Sequence, residues 1–266
     1  MRVSVDTCIH FSLVSPREAI RLAKEAGYDW IEYARRPEVD TAAVRGWLRE
    51  FGVQVDTVML GPLLCNADEE IRRQAVADVR EIFAMGVELN CRNFGSELNG
   101  PPGNDRCRQS FLRSMEELVP TLEREDFQLS FECHPGDFIE ESDATVDLLR
   151  SVGSRHVGYL FCTPHTFTMG GDVKAMVEYA GSTISHVHIA DSYKEERIIK
   201  DPPNLRVRTH LHLKPGLGEV DWPAFFTALK GVGYDRALAV VAFSHRFDRA
   251  FETAKETREW LGQYVG

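Results

Sequence analysis

Eight of the nine histidines in this 266-residue chain, at 134, 156, 165, 186, 188, 210, 212 and 245, lie in its second half, and all but His156 fall on or after a β-like segment. Over residues 128–134, 157–162 and 184–189 the side chains read with period two, as strands require. Ser130, Glu132 and His134 then share one face, and the apolar Leu129, Phe131 and Cys133 share the other. By the same alternation Gly158, Leu160 and Cys162 share a face, as do His186 and His188. If these faces turn to a common centre, Glu132, Cys162 and His188 converge. A buried carboxylate among imidazoles needs a counter-charge. A divalent cation held by Glu and His, with one position open, supplies it and polarises a bound carbonyl or hydroxyl oxygen. The plainer alternative is a self-satisfied polar cluster in which Glu132 pairs with His134 or His188. A further candidate is the loop 206–218. There Arg206, Arg208 and Lys214 either hold a carboxylate or phosphate or simply face solvent, and Gly216-Leu217-Gly218 lets backbone pass close to a ligand.

The elements that must position these groups alternate. Ser15-Pro16-Arg17-Glu18 reads as a helix cap, a first-turn proline and a capping-box acid, opening a helix that ends at Gly27. Strands at 3–5, 28–32, 53–59, 89–94, 128–132, 157–162, 184–189 and 238–242 are each followed by a helical pattern: 16–26, 41–51, 68–85, 105–125, 143–152, 171–180, 222–232 and a last helix to 264. A long excursion, 191–219, interrupts the series. The helix-to-strand joint Glu25-Ala26-Gly27-Tyr28-Asp29 echoes Gly231-Val232-Gly233-Tyr234-Asp235. No glycine-rich phosphate fingerprint follows the first strand, which argues against an open dinucleotide-binding sheet and for one closed (β/α)8 barrel over 1–266. In such barrels the chemistry sits at the C-terminal ends of the strands, where these histidines fall.

A chain that is 43% hydrophobic and 27% charged can bury a large core, which excludes disordered and fibrous classes. Its formal charge of −10 disfavours nucleic acid and anionic lipid as partners. Six cysteines without a CxxC pair suit packing as free thiols in a reducing cytoplasm. The opening residues lack the apolar core of an export signal, and the longest apolar run, 237–243, is too short to span a bilayer. The tryptophans at 30, 47, 222 and 260 read as packing residues.

Several motifs, in order along nearly the whole chain, resemble the xylose-isomerase-like barrel superfamily of sugar isomerases, epimerases and apurinic-site endonucleases: GYDWIEY, LSFECHPG, VGYLFCTPH, HVHIADS and HLHLKPGLGEVDW. The resemblance implies Glu132 and His188 as metal ligands, with Glu32, His134 and His165 on the substrate side. It also implies an Asp where this chain has Cys162 and a second Glu, both ligand and acid/base, where it has Val241. His165, His210 and His212 match positions that hold an additional zinc in the endonuclease branch. That branch also needs histidines after the third and fourth strands, where this chain has Met59-Leu60-Gly61 and Phe94-Gly95-Ser96.

Together these observations predict an isomerase or epimerase of a sugar, keto-sugar or cyclitol, using a divalent ion (zinc, manganese or cobalt) held among Glu132, His165, His188, His210 and His212. Glu132 and His134 are the expected proton-transfer groups, His245 and Glu97 being other sources for the second proton role that Val241 cannot fill. Glu32, His165, Arg208 and His245 are the expected substrate contacts. The alternatives are a lyase or dehydratase on a keto-sugar, which needs only one such group, and a sugar-binding barrel without catalysis. A homo-oligomer is the common state for such chains.

Overall fold

The computed structural model describes residues 1–194, 198–199, 205–206, 211–243 and 247–265. Eight parallel strands close into a barrel: β1 (Arg2–Asp6), β2 (Trp30–Ala34), β3 (Gln54–Met59), β4 (Asn93–Glu97), β5 (Gln128–Glu132), β6 (Val157–Cys162), β7 (Ile184–Ile189) and β10 (Ala237–Val240), which pairs back onto β1. The two-residue strands β8 (Ile198–Ile199) and β9 (Leu205–Arg206) form an antiparallel pair within the excursion.

Helices α1 (Pro16–Glu25), α2 (Thr41–Phe51), α3 (Glu69–Glu88), α4 (Asp105–Glu125), α5 (Ser142–Ser151), α7 (Val173–Ala180), α8 (Trp222–Gly231) and α9 (Ala250–Leu261) lie in the connections between strands and after the last. Local chemistry starts and stops them. Ser15 Oγ accepts the Glu18 amide at the head of α1, and Asp40, Asp68, Asn104 and Asp221 cap α2, α3, α4 and α8 in the same way. The echoed joint is a shared terminator. Gly27 and Gly233 take φ +94° and +75°, and the amides of Tyr28 and Tyr234 reach back to Ala23 and Leu229 carbonyls at 3.1 Å each.

Two expectations are corrected. The fourth strand runs 93–97 rather than 89–94: α3 continues to Glu88, Leu89 closes it by donating to the Met85 carbonyl, and Asn90 turns the chain with φ +58°. The register then sets Glu97 beside Glu132 across β4 and β5. A short helix not expected from periodicity, α6 (Thr163–Thr168), springs directly from β6 with Pro164 in its first turn.

The inward face of the barrel is filled, not hollow. A Cβ on Gly158 would collide with the hydroxyl and Cβ of Ser185, and one on Gly95 would have to push Met59 Sδ aside. At the mouth, Asp6 accepts the amides of Cys8, Ile9 and His10, and His10 Nε2 donates to the Ala250 carbonyl at 2.8 Å, tying the first loop to α9. Burial pushes His10 down to about 4, and its Nδ1 is buried without a hydrogen bond. The unfolded chain therefore takes up a proton that the folded chain refuses as pH falls from about 6.5 to about 4, a loss of roughly 3 kcal/mol of stability over that window. Asp6, raised to about 6 by burial and then by Glu32, works in the opposite sense, so the comparison with a variant isolates His10. His10→Gln, which keeps the donor but cannot titrate, should flatten that part of the pH–stability curve in urea titrations; an identical curve would remove His10 as the cause.

Candidate functional site

The C-terminal ends of β5, β6 and β7 deliver the central groups. Glu132 ends β5 and Cys162 ends β6, paired in register with His188 on β7. His165 comes from the first turn of α6, and His212 from the end of the excursion. Glu132, Cys162, His165, His188 and His212 are all buried.

Glu132 Oε2 has His165 Nδ1 at 3.2 Å and His188 Nδ1 at 3.6 Å, yet accepts no well-directed hydrogen bond. Burial alone would raise its carboxyl, but the imidazoles of His165 and then His188 outweigh that and hold it well below the usual range. His188 is bracketed by two carboxylates, since its Nε2 lies 3.2 Å from Glu32 Oε2. Burial works against a charge on His188, but Glu32 first, then Cys162 and Glu132, raise it well above an ordinary histidine. Glu32 lies deeper in the barrel, 2% exposed, where the same Oε2 also meets His186 Nε2 at 2.8 Å; these histidines, against the effect of burial, bring it to about 2.

On the other side of Cys162, His212 Nδ1 donates to the Val241 carbonyl at 3.0 Å, its ring stacks on Phe243, and its Nε2 lies 3.3 Å from His165 Nε2. His134, with its ring centroid 4.6 Å from that of His165, donates Nδ1–H to its own Pro135 carbonyl at 2.8 Å, leaving Nε2 as its basic nitrogen. Asp137, which sequence reasoning did not single out, accepts the His134 amide; burial and then the charges of Glu97 and Glu132 push its carboxyl up to about 8. Its signal was the turn His134-Pro135-Gly136-Asp137 directly after the strand.

Among the described residues, three groups of donors have ligand atoms within 4.8 Å of one another: Glu132–Cys162–His188, Cys162–His165–His212 and Glu32–His186–His188. The structure thus gathers Glu132, His165, His188 and His212, with His134 beside them. Arg208, His210 and His245 lie outside the described residues. Lys214 pairs with Glu256 of α9. The glycine pair has a ligand within the chain itself: Gly216 donates to Asp191 Oδ2 at 2.8 Å, and a Cβ on Gly218 would run into Asp191 Oδ1 and the Ser192 carbonyl. No helix among the described residues is long and apolar enough to cross a membrane.

Known proteins share this arrangement at the level of fold. The chain is 23% identical over 265 residues to the inosose isomerase of Bacillus velezensis, covering 91% of this chain and 90% of that protein. It is 23% identical over 217 residues to the D-psicose 3-epimerase of Enterocloster bolteae, covering 75% and 65%. Among solved structures, the IolI protein with a bound zinc atom superposes with a TM-score of 0.82 over the full length of both chains at 18% identity. Residues 20–264 match the family described as xylose isomerase-like TIM barrel, and the chain belongs to that family.

Proposed function

We propose that this protein is a metal-assisted isomerase or epimerase that moves a proton at the carbon beside the carbonyl of a keto-sugar or cyclitol ketone. The observation that carries the proposal is Glu132: a buried, ionised carboxylate at a barrel-strand end, with two imidazole nitrogens about it and one oxygen lacking a directed hydrogen bond. Such an oxygen fits a cation, and the surrounding nitrogen and sulfur donors fit a transition metal. The cation would be held by Glu132 and His188 or by His165 and His212, which belong to two separate donor groups. When bound, the cation supplies polarisation of the substrate's carbonyl and adjacent hydroxyl oxygens.

The chain's own groups do the rest. Glu132 takes the proton from one face of the substrate carbon, and His134, through its basic Nε2, handles the proton on the other. His165 faces the substrate in this reading and Glu32 supports it from below by holding His186 and His188, while Arg208 and His245 are substrate contacts expected from the sequence alone. The inosose isomerase and D-psicose 3-epimerase relatives support this chemistry. All six cysteines are free, which suits work in the cytoplasm. A second reading is favoured by Val241: an apolar side chain stands where the resemblance implies a second carboxylate, which suits one-sided elimination of water from a keto-sugar.

Elemental mass spectrometry on untagged protein purified without chelator, beside Glu132→Ala and His188→Ala, tests the proposal. Near-stoichiometric metal in the parent protein and its loss in both variants is the expected result. Protein that stays metal-free after loading with zinc, manganese or cobalt would overturn it. Incubation with keto-sugars and inososes in D2O then separates the two reactions, since isomerisation conserves mass apart from deuterium and elimination loses water.

A further inference from the structure

The two donor groups nearest the barrel mouth, Glu132–Cys162–His188 and Cys162–His165–His212, share one member. We propose that Cys162, as a thiolate, ligates the cation, and that sulfur makes this a zinc or cobalt centre rather than a magnesium or manganese one. The inference rests on the metal-assisted reading above.

Three features of the geometry carry it. First, a carbonyl only accepts, so the contact of His212 Nδ1 with Val241 puts the proton on Nδ1 and leaves a lone pair on Nε2. That lone pair lies 3.3 Å from His165 Nε2. That spacing admits either a proton shared between the two nitrogens or a cation held by both. Second, two nitrogens bound tetrahedrally at about 2.0–2.1 Å stand about 3.3–3.4 Å apart, which is the separation of these two Nε2 atoms. Third, Cys162 lies on the strand between those that bear Glu132 and His188 and stands at the N-cap position of α6, which bears His165, so its Sγ is within 4.8 Å of the ligand atoms of both groups.

Burial raises the thiol pKa of Cys162 in the metal-free protein. On ligation the S–H bond is replaced by a sulfur–metal bond and the proton leaves to the buffer, with no change of oxidation state. Imidazole and thiolate donors then favour zinc or cobalt, whereas magnesium and manganese favour oxygen.

Cobalt(II) added to chelator-stripped protein provides the test, with Cys162→Ser, Cys162→Ala and Cys162→Asp alongside. The parent protein should bind about one equivalent and show a near-ultraviolet thiolate-to-cobalt charge-transfer band. The Ser and Ala variants should lose that band although the other five cysteines remain. The Asp variant should shift the ratio of zinc to manganese affinity towards manganese by about tenfold or more. Cobalt bound without the band, or a band that survives in the Ala variant, would overturn thiolate ligation while leaving a metal site standing. If elemental analysis finds no cobalt on the parent protein, the underlying metal reading fails as well.

Discussion

Glu132→Gln is expected to lower turnover of the keto-sugar substrate by about a thousandfold or more while leaving a folded barrel. Glutamine matches the carboxylate in shape, so the packing against β4 and β6 survives, but it neither accepts a proton nor brings a negative charge to a bound cation. The measurement is paired: product formation, and incorporation of solvent deuterium at the carbon beside the carbonyl. Both should vanish in Glu132→Gln, because proton removal is the step that fails. His134→Gln should behave differently. If Glu132 works one face and His134 the other, this variant loses about a hundredfold in epimerised product yet still exchanges deuterium into recovered substrate. Full turnover by Glu132→Gln would end the proposed assignment.

Asp191→Asn is expected to destabilise the protein by about 3 kcal/mol and to lower its Tm by roughly 10 °C. The Asp191 carboxylate is wholly buried and accepts four N–H groups: the amides of Ser192, Gly216 and Val220 at 2.9, 2.8 and 3.1 Å, and the Trp222 indole at 3.0 Å. Asparagine turns a donor towards two of them, leaving buried N–H groups unsatisfied. Because the chain from Gly216 to Trp222 is anchored on this carboxylate, His212 should lose its position as well, and metal retention should weaken. Gly218→Ala should move both quantities in the same direction, since its methyl would occupy the place of Asp191 Oδ1. A thermal melt of Asp191→Asn that overlays the parent's would show that the carboxylate does not carry the loop.

These two residues also mark how far the sequence could be read. Glu132 was legible because period two is rigid: once Leu129 and Phe131 face the helices, Glu132 must face the barrel axis, and the contacts of Phe131 with Phe111 of α4 and of Glu132 with His165 and His188 agree. The same rule placed Cys162 and His188 beside it. Asp191 was not legible as a structural anchor, because its four donors come from up to 31 residues away and no local pattern announces them. The glycines that serve it looked like part of a ligand loop for the same reason. The fourth strand slipped in the reading because Leu89 and Cys91 are apolar and buried and so mimic a strand start, although they belong to the helix exit. His165 was expected near the substrate, but the helical turn that carries it was hidden in a six-residue segment too short to show periodicity.

The excursion between β7 and α8 leaves and re-enters the barrel at a single knot. Asp191 and Leu213 exchange both backbone hydrogen bonds, at 2.7 and 2.9 Å, and the Glu219 amide closes onto the Ser192 carbonyl at 2.9 Å. With both ends clamped together, the entropy of closing the stretch between Lys194 and Leu211 rises only by about 0.6 kcal/mol for each doubling of its length. A change in the length of that stretch is therefore cheap in closure entropy, while the clamp keeps His212 and the last barrel strand in register.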